Sequence, residues 1–243
     1  MALSPYWRDN TAMTDRIPLL LLPGLLNDAE LWHAQLEALS DLADCQVGDL
    51  TQGEHLHAVA QQVLAGAPPT FALAGFSLGG YVAQEILRIA PRRVTRLALL
   101  DTSYLPDTPA RAEQRRAQQD AVRRGAFHGF GEALMRAYTD PSHHGDAALL
   151  ARIRGMTQRL GAEVFLRQSA FARVDGSAVL RAFDRPALVL VGEHDAITPP
   201  AVHEQMAALL PDATLVRVAQ CGHLSPLEQP DAVSRALRDW LLR

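Results

Sequence analysis

The chain has no lysine; all 23 basic residues among its 243 are arginine. That excludes a Schiff-base lysine, a lysine-bearing phosphate loop and a Ser-Lys dyad. Cysteine is nearly absent too. Cys45 and Cys221 are too few for a disulfide framework and neither belongs to a C-x-x-C, so both read as buried thiols of a reducing compartment. Long apolar runs are also missing. The longest, Ile17 to Leu26, covers ten residues and contains Pro23 and Gly24, too short and too broken to span a bilayer. No cationic region followed by an apolar one opens the chain, so no signal peptide is expected and the cytoplasm is the expected location. There is no excess of positive charge either. With 27 acids the net charge is −4 and no basic tail exists, which argues against nucleic acid as a partner. What the chain does have is 48% hydrophobic content, enough for one sizeable core with room for an inserted subdomain.

The stretch around which the rest is organised is Ala72-Leu73-Ala74-Gly75-Phe76-Ser77-Leu78-Gly79-Gly80-Tyr81, of the form G-x-S-x-G. Phe71 to Ala74 read as a buried strand, while Tyr81, Val82, Glu85, Ile86 and Ile89 recur at helical spacing. Ser77 is therefore expected at a sharp strand-to-helix turn, where small neighbours leave room for a strained serine and its Oγ projects clear of the sheet. The free N–H of Leu78, at the helix start, would face an oxyanion. A serine N-cap in a glycine-rich turn is the plainer alternative.

Taken in order, residues 1 to 16 are polar around Tyr6-Trp7 and read as a loosely held arm. Ile17 to Leu22 form a strand closed by Pro23-Gly24, and helical periodicity from Glu30 turns Leu31, Leu36 and Leu39 toward the core. Leu25 is the candidate second oxyanion donor, because Gly24 permits close approach of the backbone to substrate; an ordinary Pro-Gly strand end is the alternative. A short strand is expected over 47–50, a helix over 54–65, a strand over 71–75, a helix over 78–90 and a strand over 94–100. Strands that are nearly all apolar and alternate with helices predict a parallel sheet covered on both faces, with functional groups at the carboxyl ends of the strands.

Between Asp107 and Ala182 strand signals vanish and arginine- and alanine-rich helical stretches take over. Residues 107–182 are read as a helical cap inserted into a core made of 1–106 and 183–243. Arg111, Arg115, Arg116, Arg123 and Arg124 within it could attract an acidic substrate or an acyl carrier protein, or could form a solvated helix face. The pattern then resumes with strands over 186–192 and 215–218, a helix from Pro199-Pro200 to Leu210 and an amphipathic helix over 231–242. His55 and His57 would lie on different helix faces, and His143-His144 sit beside Pro141, Ser142 and Gly145 in loop composition, so no metal site is expected.

Serine needs a base within hydrogen-bond reach, usually a histidine held by a carboxylate. His223 and Asp195 each follow a predicted strand on the edge that carries Ser77 and are its natural partners. Asp101 ends a strand on that edge too and is the competing acid, while Glu193 and His194 are expected to hold the loop.

The chain resembles the α/β-hydrolase superfamily through Leu22-Pro23-Gly24-Leu25, Gly75-Phe76-Ser77-Leu78-Gly79-Gly80, Val191-Gly192-Glu193-His194-Asp195 and Gly222-His223-Leu224-Ser225-Pro226-Leu227-Glu228-Gln229-Pro230. Within it, the chain looks like small capped esterases related to 3-oxoadipate enol-lactonases and pimeloyl-carrier-protein methyl ester esterases. The resemblance implies Ser77 as nucleophile, Asp195 as orienting acid, His223 as base, and the N–H groups of Leu25 and Leu78 as oxyanion donors. It implies a sheet of about six mostly parallel strands with helices on both faces. Pro23 departs from the histidine usual in the family, and sixteen residues are too few for the usual opening hairpin with its turn.

The function expected is a cofactor-free serine hydrolase acting on a small carboxylic ester or lactone through an acyl-enzyme, with Phe76, Leu26, Phe130 and Leu224 lining the substrate pocket. Carbon–carbon bond hydrolysis or perhydrolysis could use the same triad. A non-catalytic binding protein on the same fold is the rival of another class.

Overall fold

The computed structural model describes residues 16–243, so the arm expected around Tyr6-Trp7 lies outside the described residues. Strand β1 (Ile17–Leu22) is followed by a single 3-10 turn, Ala29–Trp32, capped by Asp28 Oδ1, which accepts the Glu30 N–H at 3.0 Å. Then come α1 (His33–Ala38), β2 (Ala43–Val47), α2 (Leu56–Gly66), β3 (Phe71–Phe76), α3 (Leu78–Ile89) and β4 (Val94–Leu100). Four helices follow with no strand among them: α4 (Pro109–Arg123), α5 (Glu132–Tyr138), α6 (Ala147–Ser169) and α7 (Ser177–Arg181). The chain closes with β5 (Ala187–Gly192), α8 (Pro200–Leu209), β6 (Ala213–Val218), α9 (Ser225–Glu228) and α10 (Pro230–Leu241).

All six strands pair in parallel, in the order β2-β1-β3-β4-β5-β6. Alternate residues of the central strands serve opposite faces. Leu19, Leu21, Ala72, Ala74, Phe76, Ala98 and Leu100 pack with Leu31 and Trp32 and with Val233, Leu237 and Trp240 of α10. Leu20, Leu22, Leu73, Leu97, Leu99 and Val189 pack with α2, with Val82 and Ile86 of α3 and with Met206 of α8. Burying a leucine or phenylalanine side chain stabilises by roughly 1.5–3 kcal/mol. A strand covered on both faces therefore reads as an unbroken apolar run, which is why these strands were legible in the sequence.

β2 is the exception. It spans Ala43–Val47 rather than the expected 47–50. As an edge strand it pairs with β1 alone, and it alternates buried Ala43 with exposed Asp44, so it carries no apolar run. His55 is the N-cap of α2, its Nδ1 accepting from Ala58 N–H at 3.1 Å, and His57 Nδ1 lies 2.8 Å from Glu85 Oε1. Among the described residues, no group of three side chains is arranged to hold a metal ion, and no helix is long and apolar enough to cross a membrane.

The helices between β4 and β5 do not fold apart from the sheet's apolar matter. Phe130, Met135, Leu149, Ile153 and Met156 join the cluster on the α10 face. α6 is broken at Gly161, whose φ of 75° a side-chain-bearing residue adopts only with strain. Along α4, Arg115 is tied to Asp107 and Arg123 to Asp120, so two of the five arginines read as a cationic patch are already neutralised.

Candidate active site

Ser77 sits between β3 and α3 with φ 49° and ψ −112°, a strained backbone for a non-glycine residue. The surroundings over-determine it. Its N–H donates to the Leu100 carbonyl at 3.0 Å, and its own carbonyl accepts from Gly80 N–H at 3.0 Å and from Thr102 Oγ1 at 2.7 Å. The flanking glycines are needed for close approach. A Cβ on Gly75 would stand 2.5 Å from the Gly79 carbonyl oxygen, and one on Gly79 would stand 2.3 Å from that of Leu22.

Ser77 Oγ lies 3.0 Å from His223 Nε2, and His223 Nδ1 lies 2.8 Å from Asp195 Oδ2. The imidazole and the carboxylate are completely buried. Asp195 Oδ1 accepts the N–H groups of Ile197 and Thr198 at 2.8 and 2.9 Å, and Oδ2 also accepts from Thr198 Oγ1 at 2.7 Å. Burial opposes the charge on Asp195, but the facing imidazole and these donors hold its carboxyl below the usual carboxylate range. Hydroxyl, imidazole and carboxylate thus form one hydrogen-bonded chain in which the serine proton can pass to Nε2.

Asp101 is not part of that chain. Its carboxyl accepts Gly192 N–H at 2.9 Å and the Ser225 hydroxyl. Burial, together with the negative charge of Asp195, raises its proton affinity well above the ordinary value. It fastens the end of β5 to the start of α9, two residues past His223. Glu193 is exposed, and His194 pairs through Nδ1 with Asp140 Oδ2, so a loop-holding role falls to His194.

Several groups that position the site were given no role by the sequence. The carboxylate of Glu228 accepts N–H groups of Gly222 at 3.1 Å, Leu224 at 2.9 Å and Asp140 at 2.6 Å, clamping both sides of His223. His203 Nε2 accepts Thr102 N–H at 2.9 Å, and burial pulls its pKa down to about 4, keeping it a neutral acceptor. The Tyr138 carbonyl accepts His223 N–H at 2.8 Å while its ring stands edge-on to the imidazole, 5.0 Å between centroids. Buried Gln168, at the end of α6, receives Leu26 N–H on Oε1 at 2.9 Å and donates from Nε2 to the Leu50 carbonyl at 3.1 Å. That bond holds Leu26 at φ 54°, inside a tight turn closed by Asn27 N–H on the Gly24 carbonyl at 3.2 Å.

The N–H groups of Leu25 and Leu78 donate to no protein acceptor among the described residues. Leu78 opens α3, so no helical carbonyl lies a turn behind it. Of the four side chains expected to line a substrate pocket, Phe76 packs on His223 at 5.4 Å between centroids, and Phe130 packs on Tyr138 at 5.1 Å. Leu26 and Leu224 are fully buried. A cavity of about 410 Å³ is bordered by Arg136, Asp140, His194 and Ala196, and Phe76, Phe130, Leu26 and Leu224 are not among its lining residues.

Comparison with known proteins places this geometry. A family model described as "alpha/beta hydrolase fold" matches residues 44–230. Pimeloyl-[acyl-carrier protein] methyl ester esterase of Aromatoleum aromaticum is 30% identical over 207 residues, covering 79% of this chain and 82% of the relative. Among solved structures, an esterase of Thermogutta terrifontis in a malate-bound form has a TM-score of 0.83 at 32% identity, covering 93% of this chain and 89% of its own. An enol-lactonase of Burkholderia xenovorans LB400 has a TM-score of 0.79 at 22% identity, covering 97% and 95%, a likeness of fold.

Proposed function

This chain belongs to the α/β-hydrolase fold family, and on that premise we propose that it hydrolyses carboxylic esters through an acyl-enzyme formed on Ser77. The observation that carries the reading is the unbroken contact from Ser77 Oγ to His223 Nε2 and from His223 Nδ1 to Asp195 Oδ2, at 3.0 and 2.8 Å.

Ser77 Oγ attacks the ester carbonyl as its proton passes to His223 Nε2. The carbonyl oxygen, now an anion, accepts the unspent N–H groups of Leu25 and Leu78, and Asp195 steadies the imidazolium. Collapse breaks the ester C–O bond, and the alkoxide leaves with the proton from Nε2. Water then attacks the acyl-serine, giving its proton to the same nitrogen, and Ser77 recovers it as the acid departs. Residues 107–182 serve as a cap over this centre: Tyr138, backed by Phe130, brings apolar surface to the imidazole, and Gln168 reaches the turn that carries Leu25.

A small-molecule ester is favoured over a carrier-bound one because Arg115 and Arg123 are spent on neighbouring acids and Arg111 donates to the Ile197 carbonyl at 3.2 Å. The test is a trapped intermediate. Rapid acid quench during turnover of a short acyl ester, followed by peptide mass analysis, should find the acyl mass on the Ser77 peptide. Burst kinetics with the adduct on another residue would overturn the assignment.

Gln168 supplies a second check on the oxyanion site. Gln168→Met keeps the volume but removes both hydrogen bonds, freeing the left-handed Leu26 turn to relax. The expected result is a fall in kcat of about tenfold or more with KM nearly constant, since the lost interaction acts on the transition state. Steady-state kinetics read it, and a lowered melting temperature with unchanged kcat would restrict Gln168 to packing.

A further inference from the structure

Arg173, in the connection between α6 and α7, is a desolvated cation that has to share the carboxylate of Asp107 with Arg115. Its guanidinium carbon lies 4.9 Å from the ring centroid of Tyr81, one helical turn beyond Ser77 in α3. Nη1 donates to the Phe171 carbonyl at 3.0 Å, while Nε and Nη2 donate to no protein acceptor among the described residues. The nearest carboxylate, Asp107, takes the Arg173 backbone N–H at 3.3 Å, but both its oxygens are held in a two-point pair by Arg115. Burial pulls Arg173 down to about 10, so it stays charged at neutral pH. Its field also reaches Tyr138, whose ring stands on the His223 imidazole and whose hydroxyl likewise has no protein acceptor among the described residues.

The guanidinium thus stacks on a tyrosine of the helix that Ser77 opens, and its charge is felt at the tyrosine that covers the His223 imidazole. Buried charges are ordinarily paired, because removing an ion from water costs several kcal/mol that only an opposite charge or good hydrogen bonds offset. Here the residue as a whole is half-buried rather than sealed from solvent. A planar guanidinium with free N–H groups on adjacent nitrogens matches the two oxygens of a carboxylate.

We propose that Arg173 binds a second, free carboxylate on the substrate, and that the preferred substrates are half-esters of dicarboxylic acids. The anionic end would dock on Arg173, with the Tyr138 hydroxyl as an additional donor, while the ester carbonyl lies at Ser77. This deepens the serine-esterase reading and rests on it.

The test compares the monomethyl and dimethyl esters of straight-chain dicarboxylic acids from succinic to suberic, with p-nitrophenyl acetate as a check on the triad. The parent protein is expected to favour the half-ester by about tenfold or more in kcat/KM at the best chain length, mostly through KM. In Arg173→Met the ratio of half-ester to diester should fall to about one, and Arg173→Lys, which keeps the charge but loses the fork, should lie between. A purely structural role would depress both esters together and leave the ratio unchanged, which overturns the proposal, as does a parent protein that prefers the diester. Should Arg173→Met not fold, inhibition of the parent by free dicarboxylates decides: inhibition no stronger than by the corresponding diamides overturns it. Turnover of p-nitrophenyl acetate without a half-ester preference removes this inference alone. Failure to hydrolyse any ester removes the hydrolase reading and this inference with it.

Discussion

Alanine at position 77 is expected to lower kcat/KM toward an ester by about 10⁴-fold or more and to abolish labelling by a fluorophosphonate. The size follows from the geometry. Ser77 Oγ, the nucleophile of the proposed reaction, ends the hydrogen-bonded chain through His223 to Asp195, and on that proposal removing it leaves only the oxyanion donors and substrate binding. The backbone need not move, because its N–H and carbonyl are held by Leu100, Gly80 and Thr102 whatever the side chain. Ser77→Ala should therefore fold with a melting temperature at or above the parent's, since it relieves no cap and opens no cavity. An alanine protein that still turns over p-nitrophenyl acetate at the parent rate would place the nucleophile elsewhere.

Asn in place of Asp195 should lower kcat by about 10⁴-fold, while Asn in place of Asp101 should leave kcat within about threefold. The contrast comes from the partners of the two carboxyls. At 195, the N–H groups of Ile197 and Thr198 fix an oxygen on one side, so the new amide NH₂ would face His223 Nδ1. That forces the proton onto Nε2, which then cannot receive the serine proton. At 101, the carboxyl faces Gly192 N–H and the Ser225 hydroxyl, and burial already favours its neutral form. A neutral amide can meet the same two partners. Measured kcat for the two variants on one ester decides between them, and a large loss at 101 with little at 195 would exchange their roles.

The comparison of the two aspartates also shows where sequence reading ends. Both stand at the carboxyl end of a buried strand, and both strands are marked by apolar runs. Position in the chain could rank them but not decide, because the deciding fact is which oxygen faces Nδ1 of a histidine 28 residues beyond Asp195. Gln168 is a sharper case. It lies 142 residues from the Leu26 amide that it accepts, on a helix whose apolar pattern says only which residues pack. Leu26 itself gives no warning, since left-handed backbone is usually announced by glycine. Glu228 and His203 are hidden for the same reason: each is a polar residue whose partners are backbone groups on other elements.

By itself the sequence determined the elements that local chemistry controls. Central strands buried on two faces must be apolar throughout, a nucleophile turn that grazes its neighbours must be flanked by glycine, and both signals are contiguous in the chain. Thus five of the six strands, the elbow at Ser77 and the strand-end places of Asp195 and His223 could be read directly. The edge strand β2 could not, since Asp44 and Gln46 leave no apolar run within its five residues, whereas the other edge strand, β6, keeps Leu215, Val216 and Val218. Only the tertiary structure decided which acid faces the histidine, which glutamine holds the turn after β1, and that Nε and Nη2 of Arg173 donate to no protein acceptor among the described residues. Those are matters of direction and distance between side chains far apart in sequence. Hydrogen bonds and ion pairs depend on geometry at the scale of a few tenths of an ångström, which no periodicity encodes.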